Sequence, residues 1–226
     1  MSINTVAKID GEVTVTNVLV SVSNKVGLET LIPGLVSINP NIRFFSTGGT
    51  YAKIKEILGD NADELLIAVS AYTGQPEMQG GLVKTLDFKI YLGLLSESYN
   101  PAHKQDIARV DGVEFDMVIV NLYPFKETVA KEGATLENAL GNIDIGGPCM
   151  LRAAAKNFVR VLSLCDPADY PQILDELGRN DGTLSLETRF IAARKAFTHT
   201  AEYDSAIVDF LHMRNTDEFS SVYDIT

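Results

Sequence analysis

Metal-binding and cross-linking residues are scarce in this chain. Its 226 residues include two cysteines and three histidines. Cys149 and Cys165 have no CxxC spacing and no histidine cluster beside them, so neither a zinc site nor a disulfide framework is indicated. Lysine and arginine form no run, and Asp plus Glu outnumber Lys plus Arg by 30 to 19, for a net charge of −11. A nucleic-acid-binding surface normally shows as a basic patch, so nucleic acid is not an expected partner. No apolar run approaches the ~20 residues that cross a bilayer, and no membrane association is expected. Residues 1–10 lack the basic and apolar regions of a secretory signal. A reducing, cytoplasmic setting is the expectation.

What is present is ordinary globular material: 46% hydrophobic and 22% charged. That length and composition suffice for a large core, and one α/β domain is the simplest reading. Apolar runs at Val18–Ser23, Ile42–Ser46, Glu64–Val69, Phe115–Leu122 and Val159–Leu164 have the character of buried strands. Helical patterns separate them, which predicts a mainly parallel sheet of five strands with crossover helices. Helices are expected over Gly27–Ser37, from Thr50 through Ile57, and from Asp166-Pro167 to a C-terminal glycine at Gly178. From Ser185 to about Met213 the spacing is helical, with a break expected at Tyr203-Asp204. Leu94–Val113 reads as an irregular excursion. Residues 1–17 are expected to be an N-terminal extension, 18–213 the folded domain, and 214–226 a frayed tail.

In an open parallel sheet, ligands bind beyond the carboxyl ends of the strands. Three such ends here carry unusual residues: Ser21-Val-Ser-Asn-Lys-Val-Gly27, Ser46-Thr-Gly-Gly-Thr50 and Asn121-Leu-Tyr-Pro-Phe125. The second directly precedes a helix, where backbone amides and the Thr47 and Thr50 hydroxyls suit a phosphate. It is no Walker loop, which is longer and ends in lysine. Ser23 and Lys25 strengthen the anion reading. A long connection, Ala71–Thr85, closes on a second cation and hydroxyl, Lys84-Thr85. Each feature alone is as consistent with a turn or a solvated lysine. Together they share one edge of one sheet, away from His103, His199 and His212.

The stretch Asn142–Asn157 adds a carboxylate, Asp144, before a Gly-Gly-Pro turn. The turn opens an alanine-rich helix that ends near Lys156. Glycines at the turn let backbone approach a ligand. If the helix starts at Pro148, Lys156 lies about 12 Å along it, so the two charges need not act as a pair.

These motifs occur in the order Ser-Val-Ser-Asn-Lys, Ser-Thr-Gly-Gly-Thr, Tyr-Thr-Gly-Gln-Pro-Glu-Met, Val-Lys-Thr-Leu, Asn-Leu-Tyr-Pro-Phe, Ile-Asp-Ile-Gly-Gly-Pro and Leu-Arg-Ala-Ala-Ala-Lys-Asn. Leu-Glu-Thr-Arg and Lys-Ala-Phe-Thr-His-Thr-Ala-Glu-Tyr-Asp follow. From about Val18 to Leu211 the chain resembles the IMP cyclohydrolase domain of the bifunctional AICAR transformylase/IMP cyclohydrolases. The resemblance implies a methylglyoxal-synthase-like three-layer α/β/α sandwich with C-terminal helices, working as a homodimer. It implies closure of formylated aminoimidazole carboxamide ribonucleotide (FAICAR) to IMP, with no metal or cofactor. A separate AICAR transformylase would supply that substrate.

By the same resemblance, Lys84, Tyr123, Asp144 and Lys156 match catalytic positions. Ser23, Asn24, Lys25, Thr47, Gly48, Gly49, Thr50, Thr85, Asn121, Ile145 and Gly146 match nucleotide-contacting ones. Some positions depart from the family pattern. Leu82 replaces an arginine, which removes a two-pronged anion contact. Asp87 and Phe158 replace histidines, Tyr91 sits where a histidine is common, and Asn24 and Val26 stand for aspartate and threonine. Two other readings stand beside the cyclohydrolase: a methylglyoxal-synthase-type lyase, and a non-catalytic nucleotide-sensing module of the same fold.

Overall fold

The computed structural model describes residues 6–76 and 84–225. In chain order its elements are β1 (Glu12–Thr14), β2 (Asn17–Val22), α1 (Leu28–Ile38), β3 (Arg43–Ser46), α2 (Gly48–Leu58), α3 (Ala62–Leu65), β4 (Leu66–Ala68) and α4 (Val69–Thr73). After the undescribed stretch come α5 (Phe88–Leu95), α6 (Pro101–Arg109), β5 (Met117–Asn121), α7 (Phe125–Val129), α8 (Leu136–Gly141) and α9 (Gly146–Lys156). The chain closes with β6 (Leu162–Leu164), α10 (Tyr170–Arg179), β7 (Thr183–Ser185) and α11 (Leu186–His212).

Five strands form one parallel sheet in the order β4-β3-β2-β5-β6. Both faces of a parallel sheet are covered by crossover helices, so its strands read as continuous apolar runs. Side-chain alternation divides those runs between two cores. Val18, Val20, Val22, Met117, Ile119, Leu162 and Leu164 pack with α1, α2, α3 and α10. Leu19, Val118 and Val120 pack with α5, α7, α8, α9 and α11 on the other face. The expected three-layer α/β/α sandwich is therefore the fold. From β2 the chain steps outward to β3 and β4, then returns to β5 on the other side. The strand order thus reverses between β2 and β5, and a crevice opens there at the carboxyl ends.

Several local expectations are corrected. The Glu64–Val69 run gives strand only at Leu66–Ala68, with helical turns on either side. Leu94–Val113 is not irregular: Asn100 accepts hydrogen bonds from the Ala102 and His103 amides and, with Pro101, starts α6. Gly178 does not end α10, which runs to Arg179. The left-handed residues come later, at Asp181 (φ 49°) and Gly182 (φ 80°). No break occurs at Tyr203-Asp204. Helix α11 is continuous because Arg189, Ala193, Ala196, Thr200, Tyr203 and Phe210 keep one buried stripe at helical spacing.

The chain ends outside the main sheet are tied to it. Strand β1 pairs antiparallel with β7. Arg189, fully buried, donates to the carbonyls of Asp10, Phe158, Val159 and Leu184. Four carbonyl partners let a guanidinium lie inside without a carboxylate in contact. After α11, Asn215 caps a short 3₁₀ turn over Thr216–Ser221.

Candidate active site

A cavity of about 440 Å³ occupies the crevice between β2 and β5. Its walls come from the ends of β2, β3 and β5, the Lys84–Leu86 segment and the start of α9. Sequence segments as far apart as Ser21 and Met150 meet here because parallel strands all end on one edge.

The ends of β2 and β5 are clamped together. Asn121 Oδ1 accepts the Asn24 N–H at 2.8 Å, and its Nδ2 donates to the Asn24 carbonyl at 2.8 Å. Ser23 N–H donates to the Asn121 carbonyl. Asn24 itself uses Oδ1 to accept the Val26 N–H, an Asx turn, and does not line the cavity. Among the residues expected to bind ligand it is the one outside the walls. Thr50, buried at the start of α2, uses its hydroxyl on the Val22 N–H and carbonyl at 3.1 and 3.0 Å. Its hydroxyl therefore braces the β2 end.

Two eleven-residue helices, α2 and α9, begin at the cavity with glycine pairs, Gly48-Gly49 and Gly146-Gly147. A helix start carries partial positive charge and unpaired N–H groups. Lys25 and Lys84 reach over the α2 start. A Cβ on Gly48 would lie 3.0 Å from Lys84 Nζ, and one on Gly49 would lie 3.8 Å from Lys25 Nζ. Lys25 also donates to the Ser23 carbonyl at 3.3 Å. A locally positive floor thus exists within a chain of net charge −11.

The α9 start is held by Asp144, whose Oδ1 accepts the Gly147 N–H at 2.9 Å. A Cβ on Gly147 would fall 2.5 Å from Asp144 Oδ2 and 2.8 Å from Leu122 Cδ2, so any larger residue would force the carboxylate or the Leu122 side chain to shift. A Cβ on Gly146 would meet the buried Thr85 hydroxyl at 2.7 Å, which brings the Lys84-Thr85 segment against α9. Burial pushes the Asp144 carboxyl above the usual carboxylate range, and hydrogen bonds from the Gly147 and Tyr123 backbones hold it partly back. Raised pKa values in clefts mark groups suited to proton transfer near neutral pH. Tyr123, half exposed after β5, forms the facing wall.

The structure thus brings Lys84, Tyr123 and Asp144 to one cavity. With them come Ser23, Lys25, Thr47, Gly48, Gly49, Thr50, Thr85, Asn121, Ile145 and Gly146. Lys156 does not join them. It is exposed at the far end of α9, ten residues past Gly146 and about 15 Å along the axis at 1.5 Å per residue. Leu82 and the rest of 77–83 lie outside the described residues. Sequence reasoning did not find Leu86, Asn142, Ile143 and Met150, which give the cavity apolar and amide lining. Single apolar residues such as Leu86, Ile143 and Met150 look like core in sequence, and Asn142 after α8 looks like a turn residue, so no signal marks them.

A three-layer α/β/α domain with a lysine-flanked helix start and a half-buried carboxylate at its switch point defines a small-ligand site. The model described as the MGS-like domain matches residues 27–149, more than half of the chain, and the chain belongs to that family. The model described as the AICARFT/IMPCHase bienzyme matches residues 154–226. Among relatives, the bifunctional purine biosynthesis protein PurH of Trichormus variabilis is 46% identical over 209 residues, 90% of this chain and 40% of that protein. PurH of Magnetococcus marinus is 47% identical over 194 residues, 85% of this chain and 35% of that protein. The chain therefore spans well under half the length of these relatives. In a crystal structure of ForH, the fold aligns with a TM-score of 0.71 at 29% identity, covering 88% of this chain and all of that one. Among the described residues, no helix is long and apolar enough to cross a membrane. Nor do any of these form a group of three or more His, Cys, Asp or Glu able to hold a metal ion.

Proposed function

We propose that this chain is an IMP cyclohydrolase, closing the pyrimidine ring of FAICAR to give IMP in purine biosynthesis. The observation that carries the reading is the convergence of Asp144, Tyr123 and Lys84 over a glycine-rich, lysine-flanked helix start in one cavity. The two PurH relatives, similar over most of this chain, support it.

The reaction forms one C–N bond and expels one water. The carboxamide nitrogen attacks the formyl carbon, and the formyl oxygen becomes a hydroxyl on a cyclic carbinolamine. Loss of that hydroxyl and of the proton on the former formamide nitrogen gives the C=N bond of IMP, and the former carboxamide nitrogen keeps its one N–H. The carboxamide is a weak nucleophile and needs a base. Asp144, half-buried and raised in pKa, takes that proton. Lys84 and Tyr123 stabilise charge on the formyl oxygen and deliver the proton that makes it leave as water. The α2 start, with Lys25, Ser23 and Thr47, holds the 5′-phosphate. Because both reacting groups belong to one substrate, orientation supplies much of the rate.

Lys156 acts outside this cavity in the proposal, at a surface open to a second copy in a homodimer. A transformylase on another chain, or on a longer form of this one, supplies FAICAR. The cytoplasm, where such an intermediate is made, is the proposed location.

Mixing the purified chain with FAICAR and following IMP formation by absorbance tests the reading; steady turnover is expected. Tight IMP binding without turnover would replace the enzyme with a nucleotide sensor. Methylglyoxal release from dihydroxyacetone phosphate would replace it with a lyase.

A further inference from the structure

Tyr203 lies on α11, outside the cavity walls, yet it touches both segments that carry the proposed chemistry. It is 8% exposed. Its hydroxyl donates to the Asn142 carbonyl at 2.7 Å and accepts the Asp144 N–H at 2.8 Å. Asn142 and Asp144 sit two residues apart in a stretch without regular structure, between α8 and α9. A backbone N–H and a carbonyl so placed cannot pair with each other without a tight turn. One phenolic oxygen serves both, as donor and as acceptor. The ring packs edge-on against Phe125, with centroids 6.2 Å apart, and the Phe125 N–H donates to the Tyr123 carbonyl at 2.8 Å. A single side chain therefore joins the backbone of Asp144 to the segment of Tyr123.

The consequence runs through geometry. Asp144 holds its carboxylate in place with hydrogen bonds from the Gly147 N–H to Oδ1 and from the Tyr123 backbone, and both depend on where the Asp144 backbone sits over the start of α9. The Asp144 amide is fixed by the Tyr203 hydroxyl. We propose that Tyr203 is a positioning residue of this site: its hydroxyl sets the Asn142–Asp144 turn and thereby aims the Asp144 carboxylate into the cavity. The assignment rests on the cyclohydrolase reading for its catalytic consequence, but its structural content is independent of it. A base displaced by a fraction of an ångström loses rate more than binding, because the misalignment matters at the moment of reaction.

Tyr203→Phe keeps the ring against Phe125 and removes only the bridge. The expected result is a kcat reduced at least tenfold with KM within about threefold, together with a shifted acid limb of the rate–pH profile. Phe210→Leu is the control. It loosens the same aromatic group, whose Phe125–Phe210 centroids are 5.7 Å apart, and leaves the hydroxyl bridge in place. It is expected to lower thermal stability and spare kcat. A purely structural role would make the two variants alike, and that outcome overturns the proposal, as does a Tyr203→Phe enzyme with parental kcat. Carboxyl-carbon NMR titration of Asp144 and exchange of the Gly147 amide give a readout free of turnover. Tyr203→Phe should move the titration and speed the exchange. If both stay unchanged, Tyr203 does not position Asp144, whatever the protein catalyses. If the parent makes no IMP while both change, the cyclohydrolase reading falls and the positioning of Asp144 stands.

Discussion

Asp144 Oδ1 accepts the Gly147 N–H at 2.9 Å, so the carboxylate that faces the cavity also closes the first turn of α9. Proton transfer and helix start are coupled in one residue. Protonating Asp144 weakens the charge-assisted bond to the helix and removes a negative charge from its positive end.

Asp144→Asn keeps shape and removes the base. Turnover should fall by about 10²-fold or more, with KM little changed. In the parent, burial raises the Asp144 pKa, so kcat should decline on the acid side at a pH above the ordinary carboxylate range. Asp144→Asn should abolish that limb. Stability carries the opposite sign: the folded chain holds this proton more tightly than the unfolded chain. The contribution is therefore complete below the unfolded pKa and lost as pH rises through the folded one. Denaturant midpoints against pH should flatten over that window in the variant. A persistent acid limb would remove Asp144 from the base role.

Gly147→Ala inserts a Cβ 2.5 Å from Asp144 Oδ2. Overpacking of this kind costs about 1–3 kcal/mol, and relief here means displacing the carboxylate. At least a tenfold loss of kcat is expected. Gly178→Ala, where a Cβ meets nothing within 4 Å, should keep activity and slightly stabilise α10. Equal activity of the two variants would show that the Asp144 approach is not needed.

Asn121→Ala opens the clamp between β5 and the Ser23–Lys25 loop by removing both bonds to Asn24. The loss is in ordering a binding loop, so KM should rise about tenfold or more with a smaller change in kcat. Asn24→Ala removes only the Asx turn to Val26 and should cost less. Steady-state kinetics on the pair decides it; a larger effect at Asn24 would mean its side chain meets ligand.

Lys25→Ala removes a cation from the α2 start. Calorimetry with IMP should give a dissociation constant raised about tenfold, and its salt dependence should shrink because one screened attraction is gone. An unchanged salt slope would place the phosphate elsewhere.

Arg189→Met leaves four backbone carbonyls without their donor: Asp10, Phe158, Val159 and Leu184. Unpaired buried acceptors cost about 1–3 kcal/mol each before relaxation, so a loss of at least about 3 kcal/mol is expected in urea unfolding. Loss below about 1 kcal/mol would mean water replaces the guanidinium.

Much of this was legible in sequence, and the misses have physical reasons. All five expected runs contain a strand of the main sheet because burial on both faces writes unbroken apolar runs, although Glu64–Val69 gives strand only at Leu66–Ala68. Asp166-Pro167 was recognised as a cap, and Asp166 does accept the Ala168 N–H. The identical chemistry at Asn100-Pro101 carries no such signal, because the helix behind it has no fully buried residue and so no apolar stripe. Tyr203-Asp204 looked like a break because a tyrosine beside an aspartate reads as polar. Its hydroxyl is satisfied by a turn some sixty residues away, which no local pattern reports.

The sequence by itself determined which segments supply the five strands of the main sheet, that their ends carry the glycines, hydroxyls and lysines, and that Asp144 precedes a glycine turn; the β1–β7 pair is absent from that reading. Those are properties of alternation, turn chemistry and residue type, all local in range. Only the tertiary structure decided how they combine: that Asn121 grips Asn24, that Thr50 braces Val22, that Tyr203 aims Asp144, and that Lys156 stays outside. These depend on strand order and helix length. Both bring residues far apart in the chain to one place, or hold apart residues that the chain sets near each other.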